Sequence, residues 1–217
     1  MKHLTIILLS LFFVATTPQL AAAPSQQFFQ KDLHYKEIEG AQSSYQGEKV
    51  EVMELLWYGC QTCYVIQGDL ESWVESAGSA INYRRIPAVV NDEMILLARA
   101  FYAAEVLGVM SRIHKPLFSA IHESRRQLLT EEAVAAFFDE QGVTKKDFTR
   151  ALNSAYVNGK IRRSRIMSHR YGIQGAPTII IDSKYLVDPS LVRNPEELID
   201  VVDFLVNKVR TTVRNGS

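Results

Sequence analysis

The chain has 217 residues, with 24 basic and 24 acidic side chains and a formal net charge of +0. Its composition, 47% apolar and 22% charged, excludes disordered, collagen-like and low-complexity classes, and the neutral balance argues against a nucleic-acid binder, which carries a basic surplus. The 2 cysteines are too few for a disulfide-stapled scaffold or a four-cysteine zinc site. At this length one domain, or one domain with a large insertion, is expected.

The chain opens as a secretory signal peptide. Met1-Lys2-His3 is a short positive segment, Leu4 to Val14 is an apolar run, and Ala21-Ala22-Ala23 supplies the small residues of a cleavage site. The apolar run is shorter than the roughly 20 residues that span a bilayer as a helix. Cleavage is expected near residues 21–25, with Pro24 awkward at a first mature position. No later stretch approaches the length of a membrane span. The mature chain is expected to be soluble, not membrane-spanning, and exported to a compartment where disulfides persist.

A short strand is expected around Leu33-Tyr35-Ile38. Lys49 to Trp57 reads as the best strand: Val50, Val52 and Leu56 share one face, and Met53, Leu55 and Trp57 the other. Two apolar faces mark a central strand covered on both sides. A helix follows from Cys63 to about Ser76, with Ile66, Leu70 and Trp73 recurring at three- and four-residue steps, and Ala80 to Ile86 reads as a second strand. Residues 91–167 carry helical patterns alone, about four helices. Leu96, Ala100, Phe101, Ala104 and Leu107 form one stripe. Pro116, Leu117, Phe118 and Ile121 lie in a second helix, and Thr130 caps a third with Val134, Phe137 and Phe138 inward. Thr144 caps a fourth, with Phe148, Leu152 and Ala155 on its buried side. Strands return at Pro177 to Ile181 and Lys184 to Val187, joined by an Asp182-Ser183 turn. Pro195 opens a closing helix to about Val209, and the tail from Thr211 is expected to fray. This order reads as an α/β domain (24–90 and 168–217) carrying an all-helical insertion at 91–167.

Both cysteines fall in Cys60-Gln61-Thr62-Cys63, directly after the central strand. The spacing puts two sulfurs at a helix start, where unpaired N–H groups and the helix dipole stabilise a thiolate. Cys60, the more exposed, is expected to attack, with Cys63 as the resolving thiol. A lowered thiol pKa also makes Cys60 a good leaving group, as a disulfide donor requires. Gln61 and Thr62 are the motif-tuning positions. A zinc half-site would need two more ligands, and His34, His114, His122 and His169 contain no His-x3–5-His pair. A structural disulfide here would close a very short loop and gain little.

Glu54 alternates onto the face of Val50, Val52 and Leu56. A carboxylate there is costly unless it has a partner or a task. Proton exchange with Cys63 is one reading; pairing with a Lys or Arg, or exposure through a twist, is the other. Ala176-Pro177-Thr178 places a proline at the mouth of a β-branched strand. Residue physics alone leaves it an ordinary edge proline. Tyr58, next to the motif, is a candidate substrate contact, whereas Trp57 reads as core. Lys160, Arg162, Arg163, Arg165, His169 and Arg170 read as a solvated helix face, with a lip for acidic substrates as the alternative.

The segment from Val52 to Tyr64, the inserted helical block and Gly175-Ala176-Pro177-Thr178 before a hairpin together resemble the DsbA family of periplasmic thiol:disulfide oxidoreductases. The likeness runs from about Ser25 to Val209. It implies a thioredoxin-like fold and a redox-active Cys60–Cys63 disulfide with no other cofactor and no metal. It also implies that Pro177 is the family's cis-proline opposite the cysteines, that Glu54 is its buried acid, and that Ala176 offers backbone groups to a substrate added as an extra strand. Many members carry Pro-His between the cysteines where this chain has Gln61-Thr62. Losing that imidazole removes a positive neighbour of the Cys60 thiolate and predicts a weaker oxidant.

The expected activity is donation of the Cys60–Cys63 disulfide to exported proteins with free thiols, through a mixed disulfide on Cys60. The resemblance implies reoxidation by a membrane-bound, quinone-coupled DsbB-like partner, and nucleic acid is not an expected partner. A reductase or isomerase is the first alternative. Its dimeric relatives carry an added N-terminal domain, for which about 25 residues before the central strand leave little room. A binding or chaperone module with an inert disulfide is the second.

Overall fold

The computed structural model describes residues 29–215. The expected signal peptide, 1–23, and its cleavage site lie outside the described residues. The strand expected at Lys49–Trp57 forms as β2, Val50–Leu56. Its Val50 and Val52 pack on Ile66 and Leu70 of helix α1 (Gln61–Ala77) and on Leu198, Val201 and Leu205 of a C-terminal helix. Its Met53 and Leu55 pack on Ile86, Ile173, Ile180 and Leu186 across the opposite face. Both sides are therefore covered, as the two apolar faces require.

Strand β1 is Lys36–Glu37 and β3 is Ile81–Pro87. Five helices follow: α2 (Ile95–Val106), α3 (Met110–His122), α4 (Glu131–Glu140), α5 (Lys145–Leu152) and α6 (Ala155–Arg170). The chain then returns to the sheet as β4 (Thr178–Ile181) and β5 (Tyr185–Val187), and closes with α7 (Pro195–Asn215). The sheet order is β1-β5-β4-β2-β3. β2 runs parallel to β3, with α1 as the crossover, and antiparallel to β4. The cysteine pair thus sits at the C-terminal end of a strand with a neighbour on each side.

Several details differ from the sequence reading. β1 is shorter than expected because the chain turns through positive φ at Asp32 and Gly40 on either side of it. The stripe on α2 widens to include Leu97, Ala98, Tyr102 and Ala103, while Leu96 is only partly buried. α2 packs against α3, α5 and α6 at once, so nearly its whole circumference is covered. The expected fourth helix is two. α5 ends at Leu152, Ser154 caps α6 by accepting from the Val157 N–H at 3.2 Å, and Ala155 is exposed at the start of α6. The closing helix does not stop at Val209 but runs to Asn215, with the Thr211 and Thr212 hydroxyls donating back to carbonyls of Asn207 and Lys208. The caps expected at Thr130 and Thr144 are present.

The third apolar cluster positions the site. Cys60, Cys63, Leu56 and Tyr58 pack with residues of α2 to α6, such as Phe101, Phe118 and Phe138, and not with the cores on the two sheet faces. The inserted helices therefore wall the end of β2 where the motif begins.

Candidate active site

Cys60 caps helix α1. Its backbone is extended (φ −85, ψ 116) and its sulfur accepts the Cys63 N–H at 3.1 Å, supplying a partner to an N–H that the helix itself leaves unpaired. The turn into the helix is tight. The Cys60 N–H donates to the Trp57 carbonyl at 3.0 Å, and a Cβ on Gly59 would fall 2.4 Å from Cζ2 of Trp57. Glycine is needed there because the indole ring lies over the backbone.

Both cysteines are free thiols. Cys60 is 8% exposed and Cys63 is 1% exposed, so the expected ranking holds although neither stands clear of the surface. The Cys63 thiol hydrogen-bonds the Cys60 sulfur. With help from the backbone N–H groups of Cys63 and Thr62, this holds Cys60 below the ordinary thiol value against the opposing effects of burial and Glu54. Burial, and then the bond and charge at Cys60, push Cys63 well above it. One sulfur is poised as a thiolate and the other as a thiol.

From across the sheet, the Ala176 carbonyl accepts the Cys60 thiol at 3.1 Å, and the Ala176–Pro177 peptide bond is cis. Pro177 precedes β4, which lies between β5 and β2, so it is not the edge proline of the residue-level reading. The Thr178 hydroxyl donates to the Gly175 carbonyl at 2.9 Å and closes the loop.

Glu54 is buried and does have a cation. Arg85 Nε donates to its Oε2 at 3.1 Å, and the Tyr83 hydroxyl donates to the same oxygen. Arg85 is the direct register partner of Glu54 in the parallel β2–β3 pair, and Tyr83 lies two residues earlier on the same face of β3. Burial outweighs both partners and raises the Glu54 pKa. The chain of charges continues outward. Arg85 reaches Glu71 of α1 at 3.1 Å, and Lys115 of α3 reaches the other Glu71 oxygen at 2.6 Å.

Tyr58 corrects the sequence reading. It is 1% exposed, packs on Phe101 and Phe118, and hydrogen-bonds His114 Nδ1 at 2.9 Å, whereas Trp57 is the partly exposed one. The pleat keeps alternating past the end of β2, so Tyr58 continues the inward face of Leu56 and cannot be a side-chain substrate contact. Burial pushes the His114 pKa down to about 3, so this histidine is neutral. The basic stretch on α6 is largely solvated. Lys160 pairs with Glu105 at 2.9 Å, and Arg165 pairs with Asp92.

A DSBA-like thioredoxin domain matches residues 42–198. The thiol:disulfide interchange protein DsbA of Burkholderia cepacia is 35% identical over 209 residues, which is 96% of this chain and 97% of that protein. DsbA of Pseudomonas aeruginosa (strain PAO1) is 30% identical over 83% of this chain and 85% of its own length. The crystal structure of Pseudomonas aeruginosa DsbA superposes with a TM-score of 0.78 at 29% identity, covering 86% of this chain and 97% of that one. For the Xylella fastidiosa oxidoreductase DsbA the TM-score is 0.74 at 28% identity, over 82% and 96%.

The chain belongs to the DSBA family. It has that family's thioredoxin-like fold and is a thiol:disulfide oxidoreductase. The structure brings Cys60, Cys63, Ala176 and Pro177 of this DSBA-family chain to one place, with Glu54 beneath them. Tyr83, Arg85, Glu71 and Lys115 were missed. Tyr83 and Arg85 left a readable signal, polar residues at alternate positions of a strand that otherwise buries Ile81 and Ile86; the others reach the site only through tertiary contacts. Among the described residues no group of His, Cys, Asp and Glu is disposed to hold a metal, and no helix is long and apolar enough to cross a membrane.

Proposed function

We propose that the chain oxidises thiols of exported proteins by passing on its Cys60–Cys63 disulfide. A substrate thiolate attacks Cys60 Sγ, the Cys60–Cys63 bond breaks, and Cys63 leaves with the electron pair and takes a proton. A second substrate thiol then attacks the substrate sulfur of the mixed disulfide and releases Cys60 as a thiolate. The substrate has lost two electrons and two protons, and the enzyme is the dithiol. The observation that carries this assignment is the split between the sulfurs. Cys60 is capped by the helix N-terminus and stabilised as the leaving thiolate, while Cys63 is buried and stabilised as the thiol.

In this reading Glu54 holds the proton that Cys63 takes up and gives back. Its raised pKa supports the role, as does its influence on the ionisation of both cysteines. Ala176 presents its carbonyl to a substrate strand laid beside the Pro177 loop once the disulfide has removed the Cys60 donor. Gln61 and Thr62 tune the dithiol. The site acts in the periplasm, a location supported by the amino-terminal pattern of the sequence and by the bacterial DsbA relatives. Its reoxidant is a membrane-bound, DsbB-like partner coupled to quinone.

Trapping tests the assignment. A Cys63→Ala variant whose Cys60 carries a thionitrobenzoate disulfide, incubated with an unfolded secreted protein bearing one free thiol, releases thionitrobenzoate and accumulates a mixed disulfide that peptide mapping places on Cys60. Absence of that species, or the same species forming on Cys63 of a Cys60→Ala variant, removes the assignment.

A further inference from the structure

The sequence lacks an imidazole between the cysteines, yet one is delivered there from elsewhere. His122, the last residue of α3, points both ring nitrogens at the active-site turn. Nε2 lies 2.7 Å from the Tyr58 carbonyl and Nδ1 lies 3.1 Å from Gln61 Oε1. A carbonyl can only accept, so Nε2 carries a proton in either charge state of the ring. Nδ1 meets an amide, which can offer its oxygen to an imidazolium N–H or turn over and offer its NH2 to a neutral ring. Gln61 therefore keeps its bond to His122 through a protonation change.

The ring is held from a third side. It stacks on Tyr64 of α1 with centroids 5.0 Å apart and planes 13° from parallel, and the Tyr64 hydroxyl donates to Glu123. The groups against the imidazole are thus the Tyr64 ring of α1, Phe118 on its own helix, the Tyr58 carbonyl, and Gln61, which adjoins Cys60; Glu123 is held by the Tyr64 hydroxyl. The electron-rich face of Tyr64 lies against the ring, a surface that accommodates a cation.

We propose that His122 is a positioning residue for thiol exchange, which reaches from the helical insertion to fix Gln61 and the Tyr58 carbonyl around Cys60 and supplies the positive charge that Gln61-Thr62 lacks. The inference rests on the reading of Cys60 as the exchanging thiol, which the trapping experiment tests separately. Linkage makes the effect reciprocal. A Cys60 thiolate holds the His122 proton more tightly, and a protonated His122 favours the thiolate and hence the dithiol form.

Two measurements decide it. The first follows the His122 ring by NMR through a pH titration of the wild-type chain in its disulfide and dithiol forms, and needs no variant. Proton release at higher pH in the dithiol form is expected; superimposable titrations overturn the proposal. The second compares wild type, His122→Phe, Gln61→Leu and the double variant in glutathione buffers at pH 6 and pH 8. Phenylalanine keeps the stack on Tyr64. The dithiol–disulfide equilibrium of His122→Phe should move about fivefold toward the disulfide at pH 6 and less at pH 8. The double variant should move no further than the larger single one, because Gln61 acts through its contact with His122. An equilibrium unchanged by His122→Phe, a shift equal at both pH values, or fully additive single effects contradict the proposal. A purely structural clamp would change stability in both redox forms alike and leave the equilibrium where it is.

Discussion

The sulfur of Cys60 lies 3.1 Å from the carbonyl oxygen of Ala176, 116 positions later in the chain. As a thiol Cys60 donates to that oxygen; as a thiolate it has nothing to donate. Ionisation at Cys60 is therefore supported from the helix side and not from the Pro177 loop.

The pH dependence follows from this split. Cys60 has a lowered pKa in the folded dithiol form. A depressed acid stabilises the fold above its unfolded value, and that contribution is lost as pH falls through the folded value. The disulfide form has no such group. Denaturation of the two forms across pH should show the dithiol form gaining relative to the disulfide form as pH rises from below the folded Cys60 midpoint to about 8.5, the ordinary thiol value. The raised pKa of Cys63 gives the opposite sign and begins to act above that point. Alkylation at neutral pH should modify Cys60 and leave Cys63 intact.

Glu54 and Arg85 form a buried pair whose carboxylate is the more enclosed partner. Arg85→Ala leaves that carboxylate without its cation and should cost about 3 kcal/mol at pH 8 in chemical denaturation. Its raised pKa lets Glu54 accept a proton instead, so the loss should shrink toward pH 5. Glu54→Gln keeps the shape and removes the proton acceptor. It should slow disulfide transfer at least about tenfold in stopped-flow and flatten the pH–rate profile, with little change in stability.

Gly59 has no room for a side chain. Gly59→Ala drives a Cβ into the Trp57 ring and should destabilise the fold by about 1–3 kcal/mol, with a change in tryptophan fluorescence. Unchanged stability and emission would mean the ring does not fix the turn.

Replacing Gln61-Thr62 by Pro-His places an imidazole inside the motif. The glutathione equilibrium should then move about tenfold toward the dithiol, roughly 30 mV more oxidising. The move should be larger in a His122→Phe background, where no second imidazole is already at the site.

What was legible in the sequence was what local chain geometry determines. Cys60 and Cys63 are one helical turn apart after a strand whose alternation is plain, so their placement followed from spacing. Glu54 was visible as an anomaly on that strand, but its partners sit on β3, and only the parallel register of β2 with β3 shows that Arg85 stands beside it. His122 carried no local signal, because its contacts to Tyr58 and Gln61 cross more than 60 residues. The break at Ser154 was hidden because the apolar spacing of α5 runs into that of α6 without a glycine or proline between them. Tyr58 differs for a simpler reason: its nearness to the motif in sequence suggests exposure, and the pleat turns it inward.

The equilibrium with glutathione, with the thiol state of Cys60 and Cys63 read directly, tests the central claim that this chain donates its disulfide. A potential on the oxidising side of about −180 mV is predicted, because the Cys60 thiolate stabilises the dithiol. A potential near about −270 mV, in the range of reducing thioredoxins, would contradict it.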